Sequence, residues 1–114
     1  MSNPNLANFV VIPFAAAASP TVAMEMGMSP GFGNLLTVKV ESLDDDTVVN
    51  CKVQGKETAV GTYADISGAA AAVNPRGAAA FAVSVGPFFQ FVVSGGYGRI
   101  IVSLDSPTQE LQPM

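Results

Sequence analysis

The sequence predicts an all-β protein, an antiparallel β-sandwich or closed barrel of about eight short strands, and three observations predict it. Apolar residues alternate with period two in one segment after another. Glycine- or proline-bearing turns recur about every ten residues. No stretch longer than a few residues carries the spacing of an amphipathic helix.

The first strand is expected over 8–16, in NFVVIPFAA. The clearest comes next. In LLTVKVESL, Leu36, Val38 and Val40 share one face and Thr37, Lys39 and Glu41 the other, which predicts a half-buried strand over 35–43. Asp44 to Asp46 break it. Val49, Cys51 and Val53 then share a face over 47–54, so the two strands read as a hairpin. Further strands are expected over 58–64, 68–73, 78–85, 88–94 and 99–104, punctuated by VQGKE, VNPRG, VGP and SGGYG, where glycine supplies positive φ or proline fixes φ. Within 78–85, Phe81, Val83 and Val85 oppose Ala80, Ala82 and Ser84; within 88–94, Phe89 and Phe91 share a face and Phe88 looks the other way. The alanines of SGAAAAVNPRGAAAFAV have helical propensity, but Gly68, Pro75 and Gly77 interrupt them too often for a stable helix.

A chain of 114 residues is long enough to bury a core without disulfides or metal, and reads as a single β domain over 1–114, with an N-terminal arm about 1–8 and a C-terminal tail about 105–114. AMEMGMSPGFGNLL, Ala23 to Leu36, reads as a long Met/Gly-rich loop. Its unbranched methionines and its glycines suit either an uneven partner surface or a cover over one open end of the sandwich.

Charged residues make up 12% of the chain against about 25% in ordinary soluble domains, while 49% of positions are hydrophobic. A free monomer keeps a surface of mixed charge, so this composition points to a chain packed against other chains. Net charge is −4 with five basic residues, which excludes a phosphate-neutralising surface for nucleic acid and a polybasic membrane patch. No transmembrane span is expected either: the apolar run from Phe9 to Ala18 is half the length needed to cross a bilayer. No basic residue precedes it, so it does not read as a cleaved signal.

Candidate chemistry is sparse. Without histidine, the Ser-His and Cys-His pairs of nucleophilic catalysis are missing. The scattered carboxylates, with no tryptophan to hold a sugar, make a poor glycosidase. Asp44 to Asp46 lack the spacing of a calcium loop and read as a solvated turn. GFG and SGGYGR do not match a phosphate-cradling fingerprint. Cys51, alone and on a strand, reads as a small buried hydrophobe. The expectation is a non-enzyme with no cofactor and no metal.

Val93, Gly96, Tyr97, Arg99, Ile100, Val102 and Leu104, a glycine-tyrosine turn followed by an alternating strand, resemble a pattern in small β-sandwich decoration (cement) proteins of tailed bacteriophage capsids. The resemblance implies a structural subunit on the outer surface of a virion capsid, whose partners are the major capsid protein and copies of itself as a dimer or trimer. On that reading the interface candidates are Phe9, Met24, Met26, Met28, Phe32, Phe88, Tyr97 and Arg99. A subunit of another viral or bacterial assembly, such as a tail, fibre or surface layer, and a glycan-binding adhesive module are the alternatives.

Overall fold

The computed structural model describes residues 9–15, 19–28, 34–104 and 111–113. Among them the elements are nine strands: β1 (Phe9–Phe14), β2 (Thr21–Met28), β3 (Asn34–Ser42), β4 (Val49–Lys56), β5 (Ala64–Val73), β6 (Ala78–Val85), β7 (Phe88–Ser94), β8 (Gly98–Leu104) and β9 (Leu111–Pro113). They form two antiparallel sheets, β1-β8-β3-β6 and β5-β4-β7-β2-β9. The all-β sandwich is as expected, with strands at 78–85 and 88–94 as anticipated and β3, β4 and β8 shifted by one or two residues.

The pairing has a simple logic. β1 pairs with β8, β2 with β7, β3 with β6 and β4 with β5, so the first eight strands make one long antiparallel ribbon whose tip is the turn after Lys56. Rolling that ribbon brings β3 against β8 and β4 against β7, which closes two sheets over one core. This is the connectivity of a jelly roll. It overturns the expected hairpin of the strands over 35–43 and 47–54: β3 and β4 lie in opposite sheets, and the turn at Asp44–Asp46 carries the chain across the sandwich. Alternation tells a strand which face to bury, but not which strand to join.

Further expectations are corrected. The Met/Gly-rich loop is, over Thr21–Met28, strand β2, and β3 resumes at Asn34; Phe32 and its neighbours 29–33 lie outside the described residues. A register shift between Val22 and Met24 explains why the strand was hidden. Val22 sits opposite Val92 on the outer face, whereas Met24 and Met26 sit opposite Phe91 and Phe89, on the side of the core. The bulge therefore breaks the period-two pattern at its start. Likewise the strand expected over 58–64 is absent until Ala64, the chain making the ribbon-tip turn instead; β5 runs unbroken through the break expected at 65–67, and Gly68, with φ 77°, lies in a second register shift, between Lys52 and Gln54 of β4. The arm at 1–8 and the tail at 105–110 lie outside the described residues, and 111–113 form β9 on β2.

The core follows from the alternation. Leu36, Val38 and Val40 of β3 and Ile100 and Val102 of β8 meet Val49, Cys51 and Val53 of β4 and Phe89, Phe91 and Val93 of β7, all buried. The Phe89 and Phe91 rings meet edge to face, centroids 5.8 Å apart. Burying each such ring contributes about 1.5–3 kcal/mol. Phe88 turns to the other side of β7, as predicted, where it is half-buried. Cys51 is a buried free thiol, and burial pushes its pKa up to about 12.

Candidate functional site

One end of the sandwich gathers three turns: Leu43–Val48 between β3 and β4, Asn74–Gly77 between β5 and β6, and Gly95–Tyr97 between β7 and β8. The glycines of SGGYGR are packing devices here, not a phosphate cradle. Gly95 has φ 98°, and a Cβ on it would run into the carbonyl oxygen of Val48. A Cβ on Gly96 would strike the Asp44 carboxylate and the Thr47 hydroxyl; one on Gly98 would strike the Glu41 carbonyl oxygen. Only backbone fits at these three contacts.

Polar groups then tie the turns together. The Asp44 carboxylate accepts from the backbone N–H of Asp46 (2.8 Å) and of Thr47 (3.2 Å), and the Thr47 hydroxyl donates to the Gly95 carbonyl. Those amide donors, that of Asp46 foremost, hold the Asp44 pKa below the usual carboxylate range. Arg76, with φ 60°, donates its backbone N–H to the Asp44 carbonyl at 3.1 Å and its guanidinium to Asp45. The left-handed backbone costs about 1–2 kcal/mol at a residue other than glycine, and these contacts offset it. Arg99 donates to Glu41 in the same way, and that hydrogen bond is the first cause of the lowered Glu41 pKa.

On this frame three apolar side chains stand in solvent: Leu43, Val48 and Tyr97, 39%, 43% and 41% exposed. The Leu43 N–H donates to the Tyr97 carbonyl at 3.1 Å, so those two residues are held side by side. A rigid apolar tip rimmed by paired charges suits docking onto another surface.

The expected interface residues do not form one surface. Tyr97 and Arg99 belong to this end. Phe88 lies on the outer face of the sheet containing β7, with the Lys56 ammonium 5.9 Å from its ring and 4.3 Å from that of Tyr63. Met24 is half-buried against the core and Met26 is fully buried, so within the chain Met26 presents no surface. Phe9 and Met28 lie on β1 and β2, and Phe32 falls outside the described residues. Sequence reasoning missed Leu43 and Val48, although their signal was present: apolar residues flanking an acidic turn.

It also missed a second feature, on the outer face of the five-stranded sheet. There Gln90 donates to Gln54 (2.7 Å), Gln54 to Asp65 (2.8 Å), and Lys52 pairs with Asp65 (3.0 Å), a polar row running across β7, β4 and β5. Beside it lies a concavity of about 410 Å³ lined by Asn50, Lys52, Ala70, Ala72 and Val92, open because the alanines of β5 are short. The row's side chains satisfy one another, and Gln90 is 6% exposed, so they are not arranged for acid–base chemistry. Among the described residues, no group of three or more acids or cysteines is placed to hold a metal ion, and no helix is long and apolar enough to cross a membrane.

No family model matches the chain, and no curated protein is found to be similar. Among solved structures it is distantly similar to a chain of the Bacillus endospore appendages, a family of disulfide-linked pili, with 14% identity over 93% of this chain and 85% of that one and a TM-score of 0.46. It is also similar to a chain of the naturally occurring empty particles of cowpea mosaic virus, the top component, with 12% identity over 82% of this chain and a TM-score of 0.37; there it spans 60% of the other chain's length.

Proposed function

We propose that the protein is a non-enzymatic structural subunit of a surface assembly and, more specifically, a capsid decoration (cement) subunit that sits on the outside of a shell and strengthens the joints between capsomers. The observation that carries this reading is the rigid end bearing Leu43, Val48 and Tyr97, apolar side chains held in solvent by a frame of hydrogen-bonded turns. Low charge supports it, because a chain with 12% charged residues has few charges to spread over its surface and gains by being covered. The partners on this reading are the major capsid protein and further copies of the chain. Many weak contacts repeated by symmetry then add up across the shell.

Replacing Leu43 by Ser, Val48 by Thr and Tyr97 by Ser together tests it. The variant should fold and melt close to the wild type, because all three side chains are largely outside the core, yet bind undecorated shells of the major capsid protein at least tenfold more weakly on co-sedimentation. Equal binding by variant and wild type, or no binding by either, would overturn the decoration role. A subunit of another assembly, a tail, fibre or surface layer, is the second reading. The same low charge, 12% of the chain, favours it, because any assembly that covers the subunit's surface accounts for that composition.

A further inference from the structure

The four outer strands of the two sheets differ in how they guard their free edges. Sheet edges invite pairing with other chains, and soluble proteins block them with proline, charge, bulges or brevity. β1 carries Pro13 within its paired span. β5 carries Asp65, paired with Lys52, and the register shift around Gly68. β9 has three residues and includes Pro113. β6 has none of these devices. Its eight residues, AAAFAVSV, hold no charge and no proline and pair with β3 in unbroken register from Ala78 with Glu41 to Val85 with Asn34. Among the described residues no strand pairs with its other side.

Side chains along β6 fit the same conclusion. The outward row, Ala78, Ala80, Ala82 and Ser84, is exposed, small and neutral. The inward row closes properly only at one end: Val83 and Val85 are buried, whereas Ala79 and Phe81 stay half-open although they point to the core side. A strand added at this edge would cover them.

We infer that β6 pairs antiparallel with β6 of a second copy, joining the two four-stranded sheets into one of eight strands about a two-fold axis. The part of β2 that β9 leaves uncovered carries the bulge at Val22–Met24 and Glu25, so among the described residues the other edges are defended. The second copy is therefore the occupant, because between copies the undefended edge meets its own equivalent. A two-fold contact of this kind is self-complementary and closes after two chains. Core-facing residues must stay on the core side of the joined sheet, so each residue opposes one of the same parity and the axis passes beside a residue. With the axis at Ala82, Phe81 meets Val83 of the other copy and Ala80 meets its Ser84; with the axis at Phe81, Ala80 meets Ala82. Neither register opposes two charges. The contact is independent of the decoration role, since it needs no shell.

The test is the solution mass of the full chain against concentration, by sedimentation equilibrium, for the wild type and for the double variant Ala80→Lys/Ala82→Lys. The wild type should move from 11.7 kDa towards twice that mass. The variant should remain monomeric with at least tenfold weaker association, because in either register lysines face each other, while circular dichroism shows the same fold. Amide exchange should slow along β6 in the wild-type dimer only. A wild type that stays monomeric at millimolar concentration overturns the inference, as does a variant that associates equally well, which would place the contact elsewhere. Shell binding is read separately with the Leu43, Val48 and Tyr97 variant, so failure of one reading leaves the other measurable.

Discussion

The middle of the sandwich and its β5–β6 margin are both written in alternating strands, yet they do different work. In the middle, β7 places Phe89, Phe91 and Val93 between two sheets, and all three are shut off from water. At the margin, β6 repeats the same alternation, but only Val83 and Val85 at one end are buried, while Ala79 and Phe81 remain half-open. A strand in the interior of a sheet has neighbours on both sides and a facing sheet above it; an edge strand lacks one neighbour. Pattern therefore selects a face, while side-chain size and position within the sheet decide whether that face is closed.

The sharpest way to break this contrast is to make the middle resemble the margin. Phe91→Ala should cost about 3–5 kcal/mol, measured by urea unfolding, because the cavity it leaves is lined by rigid neighbours. A cost below about 1 kcal/mol would mean that the middle is as loosely closed as the edge.

Gly95→Ala comes next and probes the end that binds both regions together. Its φ of 98° would strain a Cβ by about 1–3 kcal/mol, and the overlap with the Val48 carbonyl adds to that. The thermal transition should fall by several degrees, whereas an unchanged transition would show that the three turns are not held as tightly as the contacts indicate.

Cys51 gives a subtler measure of the middle. Its folded pKa of about 12 lies above the ordinary 9.0, so the unfolded chain loses its proton first as pH rises. The contribution is fully present below pH 9.0 and is lost between there and about 12. The slope is about 1.4 kcal/mol per pH unit. Tyr63 acts with the same sign, its pKa being raised by burial first and then by the Glu25 charge. The difference between wild type and Cys51→Val along an alkaline titration isolates the thiol, and parallel curves would argue against a well-closed middle. Smallest of all, Ala80→Lys/Ala82→Lys at the margin should change monomer stability by no more than about 0.5 kcal/mol per site while abolishing self-association.

Some of the molecule was legible beforehand. The core residues of β3, β4, β6 and β7 could be named because hydrophobic side chains recur at every second position. The opposed directions of Phe88 and its two neighbours follow from the same geometry. β2 was not legible: the bulge at Val22–Met24 shifts its phase, and methionine carries little β preference of its own. The candidate site was half legible. Tyr97 and Arg99 were singled out, but Leu43 and Val48 join them only because three turns distant in sequence meet at one end.

The sequence by itself determined the fold class, the buried face of most strands, the lack of histidine and a chain poor in charge, because each depends on residue identity and local periodicity. Tertiary structure alone decided the partners of each strand. Phe9 pairs with Ser103 and Asn34 with Val85, residues far apart in sequence, and many valine- and alanine-rich strands could satisfy a neighbour equally well by pattern. The choice is made when the whole ribbon rolls shut over one core. That closure is also what leaves β6 at an edge and gathers the apolar tip at one end.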